Sequence, residues 1–148
     1  MPERTVAAGA GFAGDRTEPA VALAASGKVH AIGLECLAER TIVPGLRARK
    51  ADPEAGHDPR LERRLTPLLP VAAANHCRVI SNLGAANPRA AGAKIARLAG
   101  EIGCSGLRSA AVCRYSTRVD LPAAITRTAQ VRFSMPQLGV SGAQTPGT

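Results

Sequence analysis

Val29-His30-Ala31-Ile32-Gly33-Leu34-Glu35-Cys36 is the stretch that decides the fold. Up to Leu34 it is an almost unbroken apolar run without polar alternation, the pattern of a short strand covered on both faces. An acid and a thiol follow at once. Working outward, Thr5 to Ala10 and Arg78 to Ser81 read the same way, and Leu107 to Val112 is a weaker fourth strand.

Helical patterns lie between these runs. Thr17-Glu18-Pro19 offers an N-cap with proline in the first turn, and Gly27 closes that helix. Asp58-Pro59 repeats the device before Leu61, Leu65 and Leu68. Asn87-Pro88 repeats it again before Ala91, Ile95, Leu98 and Ile102, with Gly103 in the left-handed closing position. Pro44-Gly45 is expected to break a helix running from Leu37 to Lys50, because proline removes a backbone donor and clashes with the preceding turn. Strand and helix in alternation predict an α/β fold with a parallel sheet. The expected architecture is an incomplete doubly wound, Rossmann-like sheet of about four strands with flanking helices. A (β/α) barrel needs about 250 residues, and this chain has 148.

Composition narrows the function classes. The core must be built from Ala, Val, Leu and Ile, since aromatics are only 2% and Trp is absent. No apolar run reaches the length of a membrane span, and the first residues lack a secretory layout, so a cytoplasmic protein without membrane partners is expected. The net charge of +8 suggests nucleic acid at first sight. Residues 1–112, however, carry 15 basic and 10 acidic groups interleaved as in Asp58-Pro59-Arg60-Leu61-Glu62-Arg63-Arg64. That is the pattern of a solvated helix face, and no aromatic platform accompanies it, so nucleic-acid binding is not expected. Cys36, Cys77, Cys104 and Cys113 have no paired metal or redox spacing, and His30, His57 and His76 have no ligand spacing, so no metal site is expected. Of the histidines, His57 alone lies in a loop placed for chemistry, and His30 reads as a packed or edge residue.

Gly9-Ala10-Gly11-Phe12-Ala13-Gly14 is a literal G-x-G-x-x-G after a strand. In dinucleotide-binding units such glycines bring the backbone up to a pyrophosphate at a helix N-terminus. Here Thr17 and Pro19 start the helix several residues late, and Asp15 puts a negative charge beside the phosphates. A glycine-rich turn is therefore the favoured reading, a dinucleotide is disfavoured, and no cofactor is assigned. Asp15, Glu35, Glu39, Asn82 and Asn87 all fall just past the carboxyl ends of the first three strands, the edge where open parallel sheets bind ligands. Glu35 there can serve as general base or metal ligand, or it can cap the local backbone; the sequence leaves both open. For Asn87 an N-cap role is sufficient by itself.

Four blocks resemble the amino-terminal domain of the acyclic terpene utilisation family. They are Gly9-Ala10-Gly11-Phe12-Ala13-Gly14-Asp15-Arg16, Leu34-Glu35-Cys36-Leu37-Ala38-Glu39-Arg40-Thr41, Asp52-Pro53-Glu54-Ala55-Gly56-His57-Asp58-Pro59 and Ser81-Asn82-Leu83-Gly84-Ala85-Ala86-Asn87-Pro88. His57 stands where the family usually has Tyr, Leu83 where it often has Met, and Pro44-Gly45 interrupts a segment that is normally helical. The resemblance implies a part in bacterial breakdown of acyclic terpenes such as citronellol and geraniol, without fixing a reaction. The expected site takes a small carboxylated or thioester-linked metabolite, with Glu35, Asp15 and Asn82 as catalytic candidates. Gly9, Gly11, Gly14, Gly84 and Asn87 are the ligand-binding candidates. A non-catalytic binding or assembly module, as a homo-oligomer or beside carboxylase-type subunits, is the alternative, and a non-functional fragment is a third reading.

The resemblance covers residues 5 to about 112, so residues 1–112 are expected to be a truncated domain. Residues 113–148 hold only seven Leu, Ile, Val or Phe among 36 positions, and no period survives in them. A segment so poor in large apolar groups does not offset its ordering entropy, so disorder is expected there. Its Arg, Ser, Thr, Pro, Gly and Ala are what shifted reading of GC-rich DNA produces, and a frame-shifted tail is the expected origin.

Overall fold

Three short strands pair in parallel in the order β1 (Val6–Ala10), β2 (Ala31–Leu34) and β3 (Arg78–Ser81). The structure is a computed structural model, and it describes residues 3–113. The tail expected to be disordered or frame-shifted lies, past Cys113, outside the described residues. Among the described residues four helices accompany the strands: α1 (Glu18–Ala25), α2 (Glu39–Ala51), α3 (Leu61–Ala74) and α4 (Pro88–Glu101).

The α/β class and the parallel sheet stand as the sequence pattern predicts. The register sets Val6 beside Ala31 and Ala31 beside Arg78, then Ala8 beside Gly33 and Gly33 beside Ile80. Because side chains alternate along a strand, these residues share one face and Ile32, Leu34 and Val79 share the other. The second face is the covered one. Helix α1 lies on β1 and β2, α3 packs on α1 and β3, and α4 packs on α3. Leu61, Leu65, Leu68, Leu69 and Ala72 form the buried stripe of α3, at spacings that keep them on one side of a helix. With Ile32, Leu34, Ala20 and Ala24 they make the core. Gly9 is buried in β1, and the position requires glycine because a Cβ there would come within 2.6 Å of Ile32 Cγ2.

Three expectations are corrected. Among the described residues the sheet is covered on one face only: Val6 is 68% and Ile80 56% exposed, because each described helix in contact with the sheet lies on the same side. Leu107 to Val112 forms no strand; instead Leu107 packs against the core and Ala111 lies beside Gly92 of α4. An apolar run of that length does not distinguish a strand from coil tucked under helices. Helix α2 runs through Pro44 instead of breaking there. The donor that Pro44 lacks would have served the carbonyl of Arg40, an exposed residue, and α2 buries none of its side chains, so water can take the place of the missing bond.

The expected caps hold for α4 but not at the starts of α1 and α3: Thr17 makes no side-chain capping bond, and the N-cap of α3 is Arg60, whose N–H the Asp58 carboxylate accepts. The Asn87 side chain accepts from Ala90 N–H at the start of α4, Pro88 fills the first turn, and Gly103 closes with a φ of 76°.

Candidate functional site

The carboxyl ends of the three strands, the turn after β1 and the first turn of α3 converge on one edge. Glu35 follows β2 and donates its N–H to the Ala10 carbonyl at 3.0 Å, which ties it to the end of β1. Asn82 follows β3 and binds both residues after β2. Its Nδ2 donates to Glu35 Oε1 at 2.7 Å, and its Oδ1 accepts from the Cys36 N–H at 2.7 Å. Leu37 N–H donates to the same Glu35 Oε1 at 3.1 Å. One carboxylate oxygen is thus fixed by two donors, and Oε2 has no protein partner among the described residues.

Cys36 is 3% exposed between these groups. Burial raises its thiol above the ordinary value of 9.0; the Arg64 charge lowers it, and Asp58, Glu35 and Asp15 raise it further. Cys36 therefore stays a neutral thiol, which is a poor nucleophile. Cys77 is also raised, by burial alone.

The glycine turn is closed by its own acid. Asp15 Oδ2 accepts from Gly11 N–H at 2.6 Å and from Phe12 N–H at 3.1 Å. A pyrophosphate would need those same amides. Beside the turn a cleft of about 310 Å³ opens along Ala8 to Gly11, Asp15, Arg16 and Pro19. Gly14 lies under the Phe12 ring, where a Cβ would collide with it.

The remaining candidates hold the edge together. Asn87 is 5% exposed, and its Nδ2 donates to the carbonyls of Pro53 at 2.7 Å and Ala55 at 2.8 Å. Gly84 lets the loop after β3 pass 2.8 Å, measured from the position of a Cβ, from Pro88 Cα. His57 is half-buried beside Asp58, and His30 accepts from Thr5 N–H at the opposite end of β2. Among the described residues no group of three His, Cys, Asp or Glu is placed to hold a metal. No helix there is long and apolar enough to cross a membrane.

Two functional candidates were absent from the sequence reading. Arg60 Nη1 and Arg64 Nη2 both donate to the Ala13 carbonyl, at 2.8 Å and 2.6 Å. Arg64 is 2% exposed, so the charge run at the start of α3 is not a wholly solvated face. The signal was the four-residue spacing of Arg60 and Arg64, which puts both on one side of a helix's first turn.

The profile of the acyclic terpene utilisation family, described as the family protein AtuA, matches residues 5–130. The chain belongs to the acyclic terpene utilisation family. The match includes all four sequence blocks and continues past residue 112. No curated protein and no solved structure matches the chain.

Proposed function

We propose that the carboxyl edge of the sheet binds a small metabolite of acyclic terpene breakdown and that Glu35 exchanges a proton with it. Membership of the family supports the pathway. We further place the protein in cytoplasmic catabolism, with the sheet as one wing of a Rossmann-like layer. The observation that carries the catalytic reading is the asymmetric Glu35 carboxylate. Asn82 and the Leu37 amide fix Oε1, which leaves Oε2 to meet a substrate proton in one orientation. Positioned acid–base groups of this kind contribute roughly 10²- to 10⁴-fold to rate.

A bacterial strain whose growth on citronellol depends on this chain provides the test. Glu35→Gln keeps a similar shape and hydrogen-bonding capacity but cannot take a proton. The expected result is loss of growth on citronellol with an unchanged circular dichroism spectrum. Undiminished growth removes Glu35 from the chemistry.

A further inference from the structure

Among the described residues no acid at the carboxyl edge is paired with a base. Asp15 is held by the Gly11 and Phe12 amides, Glu35 by Asn82 and the Leu37 amide, and Asp58 by the Arg60 amide at 2.7 Å. On the cationic side, Arg60 and Arg64 both spend a guanidinium on one neutral oxygen, the Ala13 carbonyl. Among the described residues neither has a carboxylate within 4.0 Å; the ion pair there joins Lys94 to Glu62. Arg64 is buried, and its Nε has no hydrogen-bond acceptor.

A buried guanidinium is costly unless an anion or a full set of acceptors compensates it. A single carbonyl shared with a second arginine does neither. We propose that Arg60 and Arg64 form the anion-binding half of this edge, taking a ligand's oxyanion in place of the Ala13 carbonyl. The guanidinium fork matches the two oxygens of a carboxylate or a phosphate, and such charge-assisted bonds are roughly twice as strong as those to neutral acceptors. The exchange is therefore favourable once an oxyanion reaches the pair. It releases the Ala13 carbonyl at the far end of the glycine turn from its two arginine donors.

This inference rests on the metabolite site proposed above only for its location. Anion binding is read without turnover, so its failure is distinct from that of the Glu35 reading. The full chain is titrated with sodium acetate and with sodium phosphate, each against sodium chloride at equal ionic strength, and the melting temperature is followed. A saturable rise with acetate alone identifies a carboxylate ligand, a saturable rise with phosphate alone a phosphorylated one, and a rise with both a general oxyanion site. Arg60→Gln, at an exposed position, is expected to weaken the apparent affinity roughly tenfold, the loss of one charge-assisted bond. Arg64→Lys keeps the charge but loses the fork, and is expected to weaken it as well. If Arg64→Lys does not fold, Arg60→Gln decides alone. No rise above chloride with either anion overturns the proposal. So does a rise that Arg60→Gln leaves unchanged, since phosphate also stabilises proteins by exclusion from their surface.

Discussion

Asn82 Nδ2 donates to Glu35 Oε1 at 2.7 Å, joining two residues 47 positions apart at the ends of neighbouring strands. The same amide's oxygen holds the Cys36 N–H, so Asn82 can adopt only one amide orientation. Asn82→Ala is expected to cost about 1 kcal/mol in chemical denaturation, the value of a typical net hydrogen bond. Asn82→Asp is expected to cost more, because it sets two carboxylates at contact distance. Such a pair shares a proton, so its folded-state affinity for that proton is raised. The stability of Asn82→Asp is then retained in acid and lost as pH rises. A variant as stable as wild type at neutral pH would mean that Asn82 does not orient Glu35.

Asp15 makes the glycine turn self-sufficient, and this bears on nucleotide binding. The Gly11 and Phe12 amides that a pyrophosphate would use are already bonded to its carboxylate. Millimolar NAD or FAD is expected to leave the melting temperature unchanged. A bound nucleotide at a hundred times its dissociation constant would add about 2.7 kcal/mol of stability, an effect too large to miss. Asp15→Ala is expected to destabilise the chain by about 1 kcal/mol, the net value of the turn bonds it loses at amides that water can then reach. A melting-temperature rise of the wild type with NAD would refute this account of the turn.

The strands were legible because each is an apolar run bounded by turn residues, and the caps at Asn87 and Gly103 because their backbone roles are local. What the sequence hid depended on neighbours. Val6 and Ile80 sit in runs that look doubly buried, and only the placement of α1 and α3 on one face of the sheet exposes them. Arg64 looks like part of a charged surface, because nothing local reveals that the Ala13 carbonyl, 51 positions away, lies over it. Glu35 and Asn82 could be assigned to one edge from strand ends alone, but not to one hydrogen bond. Pro44 broke a local rule that α2, with no fully buried side chain, does not enforce.

Cys36 and Cys77 couple stability to alkaline pH. Burial raises both thiols above the ordinary value of 9.0, so the folded state favours the neutral form. Their contribution is constant below that value and is lost as pH rises through the folded-state values. Denaturation midpoints are expected to be level up to about pH 8 and to fall by about pH 10, and Cys36→Ala with Cys77→Ala is expected to flatten part of that fall. The double variant should start from lower stability, since it leaves small cavities. An alkaline decline of equal steepness in the variant would assign it to other groups.

Asn87 separates a latch from a ligand contact. Its Nδ2 holds the Pro53 and Ala55 carbonyls, its Oδ1 accepts from Ala90 N–H at 3.3 Å, and it is 5% exposed. The side chain has no free donor left for a ligand. Losing the cap alone costs about 1 kcal/mol. Two carbonyls left short of a donor add to it, so Asn87→Ala is expected to cost about 3 kcal/mol. Asn87→Asp is the more telling change. It keeps the capping oxygen and adds a charge that the α4 N-terminus favours. It cannot donate, however, and it turns an anion toward two carbonyl oxygens. If the latch dominates, Asp is at least as destabilising as Ala in chemical denaturation. Near-wild-type stability of Asn87→Asp would reduce the residue to a cap. Unchanged stability of Asn87→Ala with weakened anion binding would return it to the ligand site.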